Sequence, residues 1–131
     1  TTAFGNLIHQ HNMTNQVIVA SFDSGTLKTF RTQFPEIATS AGFAEGLICY
    51  ALSRLQLSAA YRPNAHAMQM PKKFNLLNTT HPTFLSTARN HNLKIHYWTI
   101  NDAQTMQTFI DLDVDGIMTD YPDRLIQLLE H

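Results

Sequence analysis

The stretch from Lys94 to Leu128, KIHYWTINDAQTMQTFIDLDVDGIMTDYPDRLIQL, most constrains what this chain can fold into. Its pattern is strand, loop, helix, strand, loop, helix. The lone tryptophan, Trp98, closes the first strand, followed by Thr99-Ile100-Asn101-Asp102. Asp115-Gly116-Ile117-Met118-Thr119-Asp120-Tyr121-Pro122 then repeats the layout. Strands that end in polar groups and one large ring are what an α/β enzyme uses to build a site.

The rest of the chain follows the same rhythm. A weak helical face, apolar at positions 4, 7, 8 and 13, leads to Val17-Ile18-Val19-Ala20. That run is apolar on both faces, as a buried parallel strand should be. Ser24 or Asp23 caps a helix carrying Leu27, Phe30, Arg31 and Phe34, which Pro35 stops. Glu36 to Ser40 is a short strand candidate. A helix over 43–57 is apolar at 44, 47, 48, 51, 52 and 55. Ala65 to Met70 is another strand, and 72–80 is irregular and polar. A helix over 83–91 follows Pro82, with Asn92 at its end. In the last third, Leu93 to Thr99 is a strand. Asn101 is expected to cap the next helix, with Gln104 as a box-like partner. Val114 to Thr119 is the last strand. Thr119 or Asp120 caps the final helix, which buries Leu125, Ile126, Leu128 and Leu129.

Up to five strands alternate with helices through connections short enough for right-handed βαβ units. The fold class is α/β with a parallel sheet. At 131 residues this is one ordinary domain. A net charge of −1 leaves no basic surplus for nucleic acid or anionic membrane. Cys49 is the only cysteine, so an intrachain disulfide is impossible, and its apolar neighbours mark it as a small buried hydrophobe. No apolar run reaches the length of about 18 residues that a membrane helix needs, and no signal segment opens the chain. The chain starts at Thr1 without Met, which fits a piece of a longer polypeptide or a trimmed form. Its compartment is not readable.

A doubly wound sheet and a barrel both fit this pattern. The glycines, at 5, 25, 42, 46 and 116, form no dinucleotide fingerprint and no phosphate loop. Each strand instead closes on a different group: Ser21-Phe22-Asp23, Gln69, Trp98-Thr99-Asn101, Thr119-Asp120. A site assembled from many strand ends favours a (β/α)8 barrel, although a full barrel takes roughly 250 residues.

Three segments, VIVASFD (17–23), HYWTIND (96–102) and VDGIMTDYPDRL (114–125), resemble the C-terminal half of the glycerophosphodiester phosphodiesterase family. Those proteins are TIM barrels of the phospholipase-C-like phosphodiesterase superfamily. EIATSAG and AHAMQMP take the places of strands five and six. The resemblance implies that residues 1–131 are the C-terminal part of one barrel domain, roughly strands four to eight with their helices. It implies phosphoric diester hydrolysis: a glycerophosphodiester and water give an alcohol and sn-glycerol 3-phosphate. The family uses a divalent cation, Ca²⁺ or Mg²⁺, and two histidines. Its His-Arg-Gly, Glu-x-Asp and strand-three Glu motifs do not occur here, so no catalytic or metal-binding role is carried onto this chain.

The resemblance leaves Trp98, Phe22 and Gln69 as substrate contacts. The two rings would pack against the glycerol or alcohol moiety, and Gln69 would hydrogen-bond a hydroxyl or phosphate oxygen. Ser21 reads as a turn hydroxyl and His96 as a hydrogen-bonded strand residue. His9 and His11 have poor metal spacing, and Met68 and Met70 read as core. The expected partners are the substrate and either an N-terminal half-barrel or a second copy covering open strand edges. The competing readings are a non-catalytic half-barrel, as relic or interaction module, and another phosphate-handling barrel.

Overall fold

The computed structural model describes residues 1–74 and 77–130. Among these residues are six α-helices, α1 (Thr2–Gln10), α2 (Ser24–Gln33), α3 (Phe43–Arg54), α4 (Pro82–Asn90), α5 (Ala103–Asp111) and α6 (Pro122–Leu129), and a short 3-10 turn at Ser58–Ala60. The strands are β1 (Ala67–Met70), β2 (Lys73–Phe74), β3 (Leu77–Asn78), β4 (Lys94–Tyr97) and β5 (Gly116–Ile117).

The parallel sheet is ordered β1-β4-β5. Two further positions extend it. Val19 bridges Thr39 and Ser40 bridges Ala67, both in parallel. Val19 N–H donates to Ala38 O at 2.9 Å, and Ser40 N–H donates to Val19 O at 2.9 Å. Spatial order along the wall therefore follows chain order from Val19 to Ile117 without reversal. A doubly wound sheet reverses at its switch point, whereas a barrel adds each strand beside the last. This order is barrel winding. The two early strands expected at 17–20 and 36–40 are thus single bridging contacts, too short for regular ladders.

Alternation splits the strands into two faces. Met68 pairs with Ile95 and Met70 with Tyr97. These side chains are buried with Cys49, Phe84, Leu85, Ala88, Met106 and Phe109 from α3, α4 and α5. Tyr97 and Phe109 stack with centroids 4.1 Å apart, and Tyr97 Oη donates to Thr79 O at 2.6 Å. On the opposite, inner face, Gln69 pairs with His96, and His96 with Gly116. A smaller cluster of Ile8, Phe30, Phe34 and Ile37 joins α1 and α2 to Val17 and Val19. There Gly5 lies against Phe34; an added Cβ would stand 2.2 Å from the ring.

Local chemistry sets the helix ends. Asp23 caps α2 by accepting from Thr26 N–H at 2.6 Å. Pro82 and Pro122 occupy the first turns of α4 and α6. Asn12, Gln56, Asn92 and Asp113 take positive φ just beyond α1, α3, α4 and α5. Asparagine and aspartate tolerate that conformation best among non-glycines.

Several expectations need correction. Asp102, not Asn101, caps α5, accepting from Thr105 N–H at 2.7 Å. Neither Thr119 nor Asp120 is the N-cap of α6: that position is Tyr121, without a side-chain cap bond. On α6 only Leu125 and Leu128 pack against the core, while Ile126 and Leu129 are exposed. On α3 the buried residues are Cys49 and Ser53, with Tyr50 and Leu52 packed against the same core; Leu47 and Ile48 are exposed, as is Leu55 just past its end. In the polar 72–80 segment β2 and β3 pair antiparallel, and positions 75 and 76 lie outside the described residues. No helix among the described residues is long and apolar enough to cross a membrane.

Candidate active site at the strand C-termini

Five parallel segments, the bridging stretches at Val19 and at Thr39–Ser40 and then β1, β4 and β5, end on one cavity of about 450 Å³. Ala20, Ser21 and Phe22 enter after the Val19 bridge, and Ser40, Ala41 and Gly42 after the next. Met68, Gln69 and Met70 come from β1 and Pro71 follows it; Trp98 directly follows β4 and Met118 directly follows β5. Phe43, Gly46, Leu47 and Tyr50 of α3, with Leu77 of β3, Thr79 and Phe84 of α4, complete the wall. The lining is mostly apolar, with few polar groups, as in a site that holds a small organic moiety.

Phe22, Gln69 and Trp98 all stand on this cavity. Phe22 is 79% exposed and meets Trp98 edge to face, centroids 6.2 Å apart and planes at 75°. Gln69 lies deeper, half-buried, with Nε2 3.1 Å from His96 Nδ1. Burial holds the His96 imidazole below its ordinary value; nearby Asp115 acts to raise it and Lys94 to lower it.

Beside the cavity, Asn101 ties the β4 and β5 ends together. Its Oδ1 accepts from Asp120 N–H at 3.0 Å and from Thr119 Oγ1 at 3.1 Å, and its Nδ2 donates to Asp120 Oδ2 at 2.9 Å. Arg124 reaches back to Asn101 O and stacks over Tyr121. Ser21 Oγ accepts from Asp23 N–H at 3.1 Å, so it is a turn hydroxyl.

The strand-end layout has a counterpart among known proteins. The model of the glycerophosphoryl diester phosphodiesterase family matches residues 3–124. This chain belongs to that family. A Mycobacterium tuberculosis protein named "Probable glycerophosphodiester phosphodiesterase 2" is 28% identical over 129 residues, 95% of this chain and 48% of its own length. A glycerophosphodiester phosphodiesterase of Caldanaerobacter subterraneus is 26% identical over 122 residues, 93% of this chain and 46% of its own. The crystal structure of a Parabacteroides distasonis glycerophosphodiester phosphodiesterase superposes with a TM-score of 0.73 at 18% identity, covering 98% of this chain and 49% of that one. The chain thus spans about half the length of the curated relatives it matches, and its wall of three strands and two bridging segments has the fold of part of a TIM barrel.

The other polar candidates have ordinary surroundings. His9 contacts Glu36 at 2.5 Å, His66 Nδ1 accepts from Thr39 N–H at 3.2 Å, and His91 contacts Ser58 O at 2.9 Å. His81 contacts Arg54, and His131 lies outside the described residues. Burial pushes the Cys49 thiol up to about 12, so it is a core hydrophobe, not a nucleophile. Among the described residues no group of three His, Cys, Asp or Glu could hold a metal ion. The residues present therefore do not fit the cation cage that the family resemblance implies.

Sequence reasoning missed the contributions of α3 and of Met118. The apolar stripe at 44, 47, 48 and 51 shares only Leu47 with the side of α3 that faces the cavity, Phe43, Gly46, Leu47 and Tyr50, so the helical period pointed to a neighbouring face. Leu77 and Thr79 lie in a stretch read as irregular and polar, with no apolar periodicity to reveal them.

Proposed function

We propose that this chain forms strands four to eight of a glycerophosphodiester phosphodiesterase barrel and supplies the substrate wall of its site. The supporting observation is the convergence of five parallel segments on one apolar cavity carrying Phe22, Gln69 and Trp98. In the reaction a water oxygen bonds to phosphorus and the P–O bond to the alcohol breaks, leaving sn-glycerol 3-phosphate. Trp98 packs its ring against the glycerol or alcohol carbons and Phe22 closes over it from the rim. Gln69 hydrogen-bonds a hydroxyl or phosphate oxygen. The proton-transferring histidines and the residues holding the divalent cation, Ca²⁺ or Mg²⁺, belong to a complementary N-terminal half-barrel. That half, or failing it a second copy, also covers the outer strand edges, which unpaired would invite association.

The test is hydrolysis of a glycerophosphodiester with Ca²⁺ or Mg²⁺. The chain alone is expected to show no turnover. Adding the N-terminal half of the Caldanaerobacter relative is expected to restore metal-dependent release of glycerol 3-phosphate. Turnover by the chain alone would overturn the division of labour. A second reading, a non-catalytic interaction module, is favoured by the exposed Phe4, Leu7, Ile126 and Leu129 on the two terminal helices. Under it, the chain binds a protein partner, while complementation yields no activity and no substrate binds the cavity.

A further inference from the structure

We infer that His96 is a positioning residue that sets which end of the Gln69 amide faces the cavity. The inference rests on the proposed substrate role of Gln69.

The two side chains sit in register on adjacent strands of the inner face. Gln69 Nε2 lies 3.1 Å from His96 Nδ1. On the other side, the ring lies directly over Gly116: a Cβ there would stand 2.9 Å from its Cδ2 and 3.2 Å from its Cγ. Glycine at 116 thus opens the space the imidazole occupies, and the ring is held between Gln69 and the β5 backbone. Gln69 itself is half-buried and lines the cavity. An amide has one accepting and one donating end, so fixing one end dictates the other.

With His96 neutral and Nδ1 unprotonated, the NH₂ of Gln69 donates to the ring and Oε1 is the end left for the cavity. With His96 protonated, Nδ1–H becomes a donor. Gln69 must then turn its oxygen to the ring and offer the NH₂ to the cavity. That second state suits a phosphodiester oxygen, which only accepts. The charged groups acting on His96 are Asp115, preceding β5, and Lys94 on its own strand; β1 contributes no titratable residue. The lowered His96 value agrees with a neutral ring at neutral pH.

The experiment has two arms. In the first, ¹⁵N NMR of the full chain follows the His96 ring and the Gln69 side-chain amide from pH 8 to 5. The neutral ring is expected to carry its proton on Nε2, and the Gln69 amide signals are expected to shift with the His96 titration. A neutral ring protonated on Nδ1, or Gln69 signals that ignore the titration, overturns the inference. In the second, sn-glycero-3-phosphocholine, whose phosphodiester does not titrate in this range, is bound at both ends of that range. Binding is expected to be several-fold tighter at the acid end, with the dependence flattened in His96→Asn and mostly lost in Gln69→Leu. If Gln69→Leu keeps the full dependence, His96 acts by its charge alone and the inference fails. Absence of binding at any pH instead refutes the substrate role of the cavity, and the NMR arm still decides the His96–Gln69 coupling.

Discussion

Phe22 and Trp98 meet edge to face across the mouth of the cavity, centroids 6.2 Å apart, although they follow the first and the fourth of the five parallel segments of the wall. Phe22 is mostly exposed, so little apolar burial depends on it. Phe22→Ala is therefore expected to leave thermal stability within about 0.5 kcal/mol of the parent while changing Trp98 fluorescence, the chain having no other tryptophan. Binding of a glycerophosphodiester should weaken in Phe22→Ala and more so in Trp98→Ala. A fluorescence spectrum unchanged by Phe22→Ala would mean that the two rings do not pair in solution.

Gly5 is buried in the α1–α2 cluster with the Phe34 ring against its Cα. In an exposed helix, Gly→Ala stabilises by roughly 0.4 to 1 kcal/mol. Here the new methyl would overlap a ring buried on all sides, and overpacking costs typically about 1–3 kcal/mol. Gly5→Ala is expected to lower the denaturation midpoint, and Gly25→Ala on the open face of α2 is not. A raised midpoint for Gly5→Ala would show that Phe34 swings aside freely.

The Asp102 and Asn101 roles separate by what each holds. Asp102→Ala removes a cap from α5 and is expected to fray its first turn, seen as faster amide exchange at Thr105. Asn101→Ala leaves α5 intact and releases the β5 end. Exchange should speed at Asp120, at a cost of about 1 kcal/mol for each bond lost. Equal effects of both substitutions on Thr105 would contradict this division.

These two residues also show where sequence stops being informative. Asn and Asp are both good N-caps, and a one-residue shift between them is within the ordinary slack of helix boundaries. Only the neighbouring strand end, which bonds Asn101, decides it. The alternation of strands and helices, the apolar identity of Met68, Met70 and Cys49, and the strand-end location of Phe22, Gln69 and Trp98 are local properties, and the residues display them directly. The barrel winding is not local: it rests on the bridges of Val19 to Thr39 and Ser40 to Ala67, which join segments too short to announce themselves as ladders. The exposed sides of α3 and α6 were misread for a related reason. Apolar residues at helical spacing mark a face to be covered, but not what covers it.

Ile126 and Leu129 on α6, with Phe4 and Leu7 on α1, leave apolar side chains exposed at both ends of the wall. If these faces and the adjoining strand edges drive association, the isolated chain should show a concentration-dependent mass in sedimentation velocity. Ile126→Glu with Leu129→Lys should shift it toward monomer without lowering the melting temperature. A parent chain monodisperse as monomer across the concentration range would remove self-association from the proposed partners.

Glu45 gives the clearest pH signature. It forms paired contacts with Arg31, at 2.8 and 3.0 Å, and accepts from Gly42 N–H at 2.8 Å. Burial acts to raise its carboxyl value, but the Arg31 bonds and charge and the Gly42 N–H outweigh it, and the net shift is downward from 4.5. A depressed folded-state value means that the unfolded chain takes up the proton first, so stability rises with pH across this interval. The contribution is complete above about pH 4.5 and is lost as pH falls through the lower, folded value. Thermal melts from pH 7 to 3 should therefore show a fall that is smaller in Glu45→Gln, after allowing for the cost of the substitution itself, about 1–2 kcal/mol at neutral pH. Parallel curves for the two proteins across this interval would show that Glu45 titrates at its ordinary value and that the Arg31 pair is open to solvent. Because Arg31 also holds Thr39 Oγ1 and Ser40 O, loss of this anchor loosens the strand segment that carries Ser40 to the cavity. The acid transition should accordingly reach the Phe22–Trp98 fluorescence before it reaches the helices packed on β4.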